Sequence, residues 1–143
     1  VPDMTHVLVV DDSDTTRQLL RAMLEPQGYV VSEAVDGVQA LAVLRTATEP
    51  MVVALDYQMP NLDGAGVLDA VAQEGGALAR HEFLVLSANV ATFPESFIEL
   101  LRHLSIRILS KPIDRPLLLA VVAQAAERLH APQDPPIDWG EGH

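Results

Sequence analysis

No cysteine occurs in this 143-residue chain. A disulfide framework, a thiolate zinc site and a cysteine nucleophile are therefore excluded, and the composition fits a cytoplasmic setting. Long apolar runs are also missing. None approaches the ~20 residues of a membrane span, and the N-terminus carries no secretory pattern. Positive charge is scarce as well: nine Lys and Arg stand against twenty Asp and Glu, for a formal net charge of −11. That balance argues against nonspecific binding to nucleic acid or to an anionic membrane surface, both of which it would repel. Scarcest of all is lysine. Eight of the nine basic residues are arginine, and the single lysine is Lys111. Where arginine serves everywhere else, one lysine marks a position chosen for its chemistry.

What is present is enough apolar material for one domain with a real core: 49% of the residues are hydrophobic, too many for a disordered chain. Short apolar runs at His6–Val10, Tyr29–Ala34, Met51–Leu55, Phe83–Leu86 and Ile106–Leu109 read as strands. Between them lie segments with helical spacing. Ser13–Glu25 carries Leu20, Met23 and Leu24, with Ser13 or Asp14 to cap it and Pro26 and Gly28 to end it. Asp36–Arg45 offers Val38, Leu41, Ala42 and Leu44 to the core, Gly64–Val71 offers Val67, Leu68 and Val71, and further helices fall within Phe93–Leu104 and Pro116–His130. Gly75-Gly76 reads as the start of a loose connection. Strict alternation of this kind predicts an α/β fold, a parallel sheet with helices on both faces and right-handed crossovers. Met51–Leu55 lacks polar alternation, as expected of a strand buried on both faces.

Ligands of such sheets bind at the carboxyl ends of the strands, and there the chain places its chemistry. The first strand ends in Asp11-Asp12, the third in Asp56, the fourth in Ser87 and the fifth in Lys111. Carboxylates gathered this closely repel: one pair at 4 Å costs about 4 kcal/mol at an effective dielectric of 20. Such a cluster takes up a proton or binds a cation, and hard oxygens with open space suit Mg2+, which keeps several waters. A carboxylate beside Mg2+, a lysine and a hydroxyl is equipped to accept a phosphoryl group.

These residues resemble the receiver domain of two-component response regulators. The likeness rests on Val7-Leu8-Val9-Val10-Asp11-Asp12, on Leu55-Asp56-Tyr57-Gln58-Met59-Pro60 with Asp63-Gly64, on Ser87-Ala88 and on Lys111-Pro112. It implies a flavodoxin-like sheet of order 2-1-3-4-5 over residues 5–130. It further implies that Asp56 accepts a phosphoryl group from a phosphohistidine of a histidine kinase or a phosphotransfer protein. By the same likeness Asp12 binds Mg2+ directly, Asp11 does so mainly through water, and Asp56 and the backbone carbonyl of Gln58 are further ligands. Ser87 and Lys111 would contact the phosphoryl group, as would the backbone N–H of Ala88, and Gln58 and Asn89 would tune its lifetime. The bond between Lys111 and Pro112 is often cis in the family. The expected output surface is the fourth helix, fifth strand and fifth helix. One departure bears on it: the family usually places an aromatic residue three positions before the lysine, and here that residue is Ile108, which has no ring to turn inward.

The last helix is apolar on more than one side, with Leu119, Ala123 and Ala126 added to Leu117, Leu118, Val121, Val122 and Leu129. That excess predicts a contact with a second copy or an output domain. Asp63 reads as a turn residue before Gly64, and the five histidines show no ligand spacing and read as surface residues. Two other functions fit parts of the chain. Asp12-Ser13-Asp14-Thr15-Thr16 matches the pattern of haloacid-dehalogenase-type phosphatases, with Asp12 as nucleophile and Asp14 as general acid. That reading lacks a second acidic pair after Lys111 and leaves Asp56 unexplained. A receiver-like module that is not phosphorylated is the other. Residues 131–143, rich in Pro and Asp, read as a tail or linker in which Trp139 is solvated. Glu141-Gly142-His143 reads as the beginning of an expression tag, in which case the natural protein continues further. No output-domain signature follows Leu129.

Overall fold

A computed structural model describes residues 4–130. Five strands, β1 (His6–Val10), β2 (Val30–Ala34), β3 (Val52–Asp56), β4 (Glu82–Ser87) and β5 (Arg107–Ser110), alternate with five principal helices. These are α1 (Asp14–Leu24), α2 (Gly37–Thr46), α3 (Gly64–Glu74), α4 (Glu95–Leu104) and α5 (Arg115–His130). The strands form one all-parallel sheet of order β2-β1-β3-β4-β5, so the expected architecture is the observed one. Gly75-Gly76 leads not into loose chain but into one helical turn, Gly76–Ala79, whose Leu78 is buried.

Strand alternation sorts the core into two layers. Leu8, Val10, Val53, Leu55, Phe83 and Val85 face α2, α3 and α4, while Val7, Val9, Val52, Ala54, Leu84 and Leu86 face α1 and α5. Central strands covered on both sides have no place for polar alternation, and every residue of β3 is buried.

Three further expectations need correction. Val38 is 56% exposed and Ala42 is exposed, because α2 begins at Gly37 and turns Gly37, Ala40, Leu41 and Leu44 to the sheet instead. His81 is not a surface histidine. It is buried, with Nδ1 accepting from the Met51 N–H at 2.9 Å and Nε2 3.1 Å from the Leu44 carbonyl. It thereby ties the end of α2 to the edges of β3 and β4, and burial holds its pKa below the usual histidine range. Of the other histidines, His103 and His130 are exposed, His6 is half-buried and His143 lies outside the described residues. The surplus apolar side of α5 is largely accounted for within the domain. Leu119, Ala126 and Leu129 pack, half-buried, on the layer that contains Leu20 and Leu24 of α1, leaving Leu117 (44% exposed) and Ala123 open to solvent. Trp139 and the Pro- and Asp-rich segment lie outside the described residues.

Candidate functional site

Asp11 follows the last residue of β1 and continues the ladder, its N–H donating to the Ala34 carbonyl of β2 at 3.1 Å. Its carboxylate is fully engaged: Oδ1 accepts from the Ser13 N–H at 2.8 Å and Oδ2 from Lys111 Nζ at 2.9 Å. Asp12 is exposed at the mouth, just before Ser13 caps α1 through the Thr16 N–H. Asp56, the last residue of β3, is 6% exposed. Its Oδ1 accepts from Lys111 Nζ at 3.2 Å. Asp11, Asp12 and Asp56 each present a carboxylate oxygen, all within 4.8 Å of one another. The three acids read from the strand ends are thus brought together, and Lys111 bridges the two buried ones.

Lys111 is set by its backbone. Its N–H donates to the Ser87 carbonyl at 2.8 Å, and the Lys111–Pro112 peptide bond is cis. Ser87 is buried, with Oγ accepting from the Asn89 N–H at 3.2 Å. Ala88 and Gln58 are exposed beside the crevice. Gly64 is required where the chain restarts after the β3–α3 loop, since a Cβ there would stand 2.8 Å from the Asp56 carbonyl. Asp63 does what a residue before that glycine should: it caps α3 by accepting from the Gly66 N–H at 2.9 Å. Ile108 is half-buried against the layer of α2, α3 and α4.

One lysine does not balance three acids. Burial, and then the Asp11 carboxylate, push the Asp56 pKa up to about 6 despite the opposing effect of Lys111. Lys111 itself is held above the ordinary lysine range: burial works against its charge, but the hydrogen bonds and charges of Asp11 and Asp56 outweigh it. The cluster is therefore electron-rich and short of positive charge. All-oxygen donors with one open side fit a small divalent cation that retains water.

Sequence reasoning passed over three groups around the site. Arg17 of α1 is 7% exposed and hydrogen-bonds the Asp11 carbonyl at 2.7 Å. Its signal was readable, for Arg17, Leu20 and Leu24 fall on one helical stripe, so a charge stands in a core position. Asp36 caps α2 and accepts from Asn61 Nδ2 at 2.8 Å, holding the β3–α3 loop where Asn61 takes a positive φ of 67°. Tyr57 stacks with Phe93 and Phe97, ring centroids 4.5 and 4.8 Å away. That contact joins Tyr57 to a segment some 36 residues further on, and only the Phe93–Phe97 half of it, four residues apart, is a local pattern.

A doubly wound α/β domain of this strand order, with an acidic crevice at the carboxyl edge and a lysine reaching into it from the end of the last strand, is a flavodoxin-like fold with its ligand site at the switch point. Within that class, residues 7–123 match the response regulator receiver domain, and the chain belongs to that family. Protein PilG of Pseudomonas aeruginosa is 29% identical over 136 residues, covering 95% of this chain and 94% of PilG. A probable transcriptional regulator, ycf27, of Cyanidium caldarium is 39% identical over 69 residues, which are 48% of this chain but only 27% of that regulator. Among solved structures, the receiver domain of the Francisella response regulator 1452 superposes with a TM-score of 0.75 at 30% identity, over 87% of this chain and 98% of that one. Phosphorylation by a kinase is the general function of the family, and receiver domains interact with histidine kinases. No helix among the described residues is long and apolar enough to cross a membrane.

Proposed function

We propose that this chain is a working phosphoacceptor switch in which Asp56 is the acceptor. The observation that carries the reading is the bridge from Lys111 to both buried carboxylates, with the third acid close by. A carboxylate oxygen of Asp56 attacks the phosphorus of a phosphohistidine on a kinase or phosphotransfer protein. A P–O bond forms as the P–N bond breaks, and the imidazole leaves as the neutral base once it takes a proton. Asp12 directly, Asp11 through water, Asp56 and the Gln58 backbone carbonyl would hold Mg2+, which supplies charge neutralisation for the transferring group when bound. Lys111 pairs with a phosphoryl oxygen, the Ser87 hydroxyl donates to another, and the Ala88 N–H supplies a third contact. Because the acid is half-ionised at its pKa of about 6 and mostly neutral below it, its nucleophilic form in the metal-free protein gains population as pH rises through that value.

The new dianion draws Ser87 and Lys111 inward and favours one arrangement of α4, β5 and α5, the surface offered to a second copy or an output domain. Ile108 at the β5 position contributes bulk to that change but no ring. This is a cytoplasmic signalling role rather than that of an enzyme acting on free substrates, and the domain itself touches neither nucleic acid nor membrane. Incubation with acetyl phosphate and Mg2+, followed by mass mapping of the labile acyl phosphate, tests it. One phosphoryl group on Asp56, lost in Asp56→Asn and with chelator, is expected. A label on Asp12, with turnover of a phosphate ester blocked by Asp14→Asn, would establish the phosphatase reading; no label at all would leave a binding module.

A further inference from the structure

Arg17 is a cation in a core position, and its partners explain why the core tolerates it. Its Nη1 donates to the Asp11 carbonyl at 2.7 Å, its Nε to Glu33 Oε1 at 2.8 Å, and its Nη2 pairs with Asp14. Glu33 is held in turn by Arg21, whose Nη2 and Nε lie 2.7 and 3.0 Å from Oε2. These bonds keep the Glu33 carboxyl below its usual range, the Arg21 bond having the larger effect. The guanidinium is thus fixed in plane from two sides, and its remaining face is presented to one peptide group, Asp11–Asp12.

That peptide joins the most firmly held acid of the crevice to an exposed one. Asp11 is secured by its N–H to Ala34 and by both carboxylate oxygens. Among the described residues, no hydrogen bond holds the Asp12 carboxylate, and the residue is exposed. Its place within 4.8 Å of the other two acids therefore depends on its backbone, and the orientation of the peptide before it is set by the carbonyl that Arg17 grips. A buried charge–carbonyl bond supported by a second ion pair resists rotation far better than a solvated one.

We infer that Arg17 is a positioning residue for the cation site: with Glu33 behind it, Arg17 locks the Asp11–Asp12 peptide so that the free Asp12 carboxylate faces Asp56. The inference rests on the proposed role of Asp12 as a Mg2+ ligand. Removing an outer partner of this kind weakens metal binding by roughly 10- to 100-fold.

The test is Mg2+ affinity by isothermal titration on the folded protein, with folding checked by circular dichroism. Arg17→Met keeps the aliphatic stem and deletes the donors; it should bind Mg2+ at least about tenfold more weakly, while Arg17→Lys, which retains one donor, recovers part of the loss. Glu33→Gln leaves Arg17 in place but loosens it and should fall between parent and Arg17→Met; it also serves if Arg17→Met does not fold. A folded Arg17→Met with the parent's affinity, or, failing that variant, a Glu33→Gln with the parent's affinity, overturns the inference. A parent that binds Mg2+ and loses it in Asp12→Asn keeps the site reading intact in that event. A parent that binds no Mg2+ removes the site reading and this inference together.

Discussion

Asp56 shows at the scale of one residue how function is kept at the expense of stability. Its pKa is raised from the ordinary aspartate value to about 6, chiefly by burial and then by Asp11. The sign follows directly: below the unfolded-state value the acid is neutral in both states and costs nothing. As pH rises toward 6 the unfolded chain ionises first, so stability falls across that window and levels off above it. Asp56→Asn, which keeps the shape without the charge, should therefore stabilise the metal-free protein at pH 8 by about 1–2 kcal/mol, the full shift being discounted for solvent at the pocket mouth. The gain should shrink to a small fraction of that near pH 4 and vanish below the unfolded-state value. Mg2+ at 100 times its Kd should stabilise the parent by about 2.7 kcal/mol and the variant much less. Urea unfolding between pH 4 and 8, with and without Mg2+, measures all of this. An Asp56→Asn variant whose stability relative to the parent does not grow from pH 4 to 7 in chelator would contradict the assignment of Asp56 as the strained group.

At the scale of elements, the crevice is assembled by contacts between loops rather than by any one motif. The start of α2 is docked on the β3–α3 loop: the Gly37 N–H donates to the Leu62 carbonyl at 3.0 Å, and Asn61 reaches back to Asp36 at 2.8 Å. A Cβ on Gly37 would stand 2.4 Å from the Leu62 oxygen and 2.8 Å from Val67. Gly37→Ala must therefore part the two loops or shift α2, and should destabilise by about 1–3 kcal/mol. Because the displaced loop carries Gln58, the rate of phosphorylation by acetyl phosphate should fall as well; thermal unfolding and the labelling assay together separate the two effects. The same region shows why part of the design was hidden. Strands, helices and the order of the acids were legible because apolar runs and terminal charges are local. Val38 and Ala42 turn outward against the sequence expectation because helical spacing fixes a face only to within a turn, and the docking of Gly37 decides which face turns inward. The burial of His81 is not visible in the sequence because its two partners, Met51 and Leu44, lie on other elements; a backbone bond across 30 residues leaves no trace in the local pattern.

The whole molecule raises the question of what reads the switch. The chain aligns with nearly all of PilG but with about a quarter of the ycf27 regulator, so relatives of both plans exist and the output is a matter for measurement. An interface read from the surplus leucines of α5 loses most of its support, because Leu119, Ala126 and Leu129 pack, half-buried, on the core layer beneath α1 and α5. What remains on that side is Leu117, Ala123 and the exposed Arg107 of β5, whose guanidinium lies 3.3 Å from Gln124. So small an apolar area does not hold an unmodified pair together, and the resting domain should sediment as a monomer. Two copies each carrying a net charge of −11 also repel at long range, and phosphorylation adds to that charge. Any dimer formed on activation must therefore strengthen as salt shortens the Debye length from about 30 Å at 0.01 M to about 8 Å at 0.15 M. Sedimentation velocity with beryllofluoride and Mg2+ at both salt concentrations should show association only in the second, abolished by Arg107→Glu. A strict monomer in both would assign the α4–β5–α5 surface to a different protein, since the repulsion that keeps like copies apart would attract a basic partner and weaken, rather than strengthen, with salt.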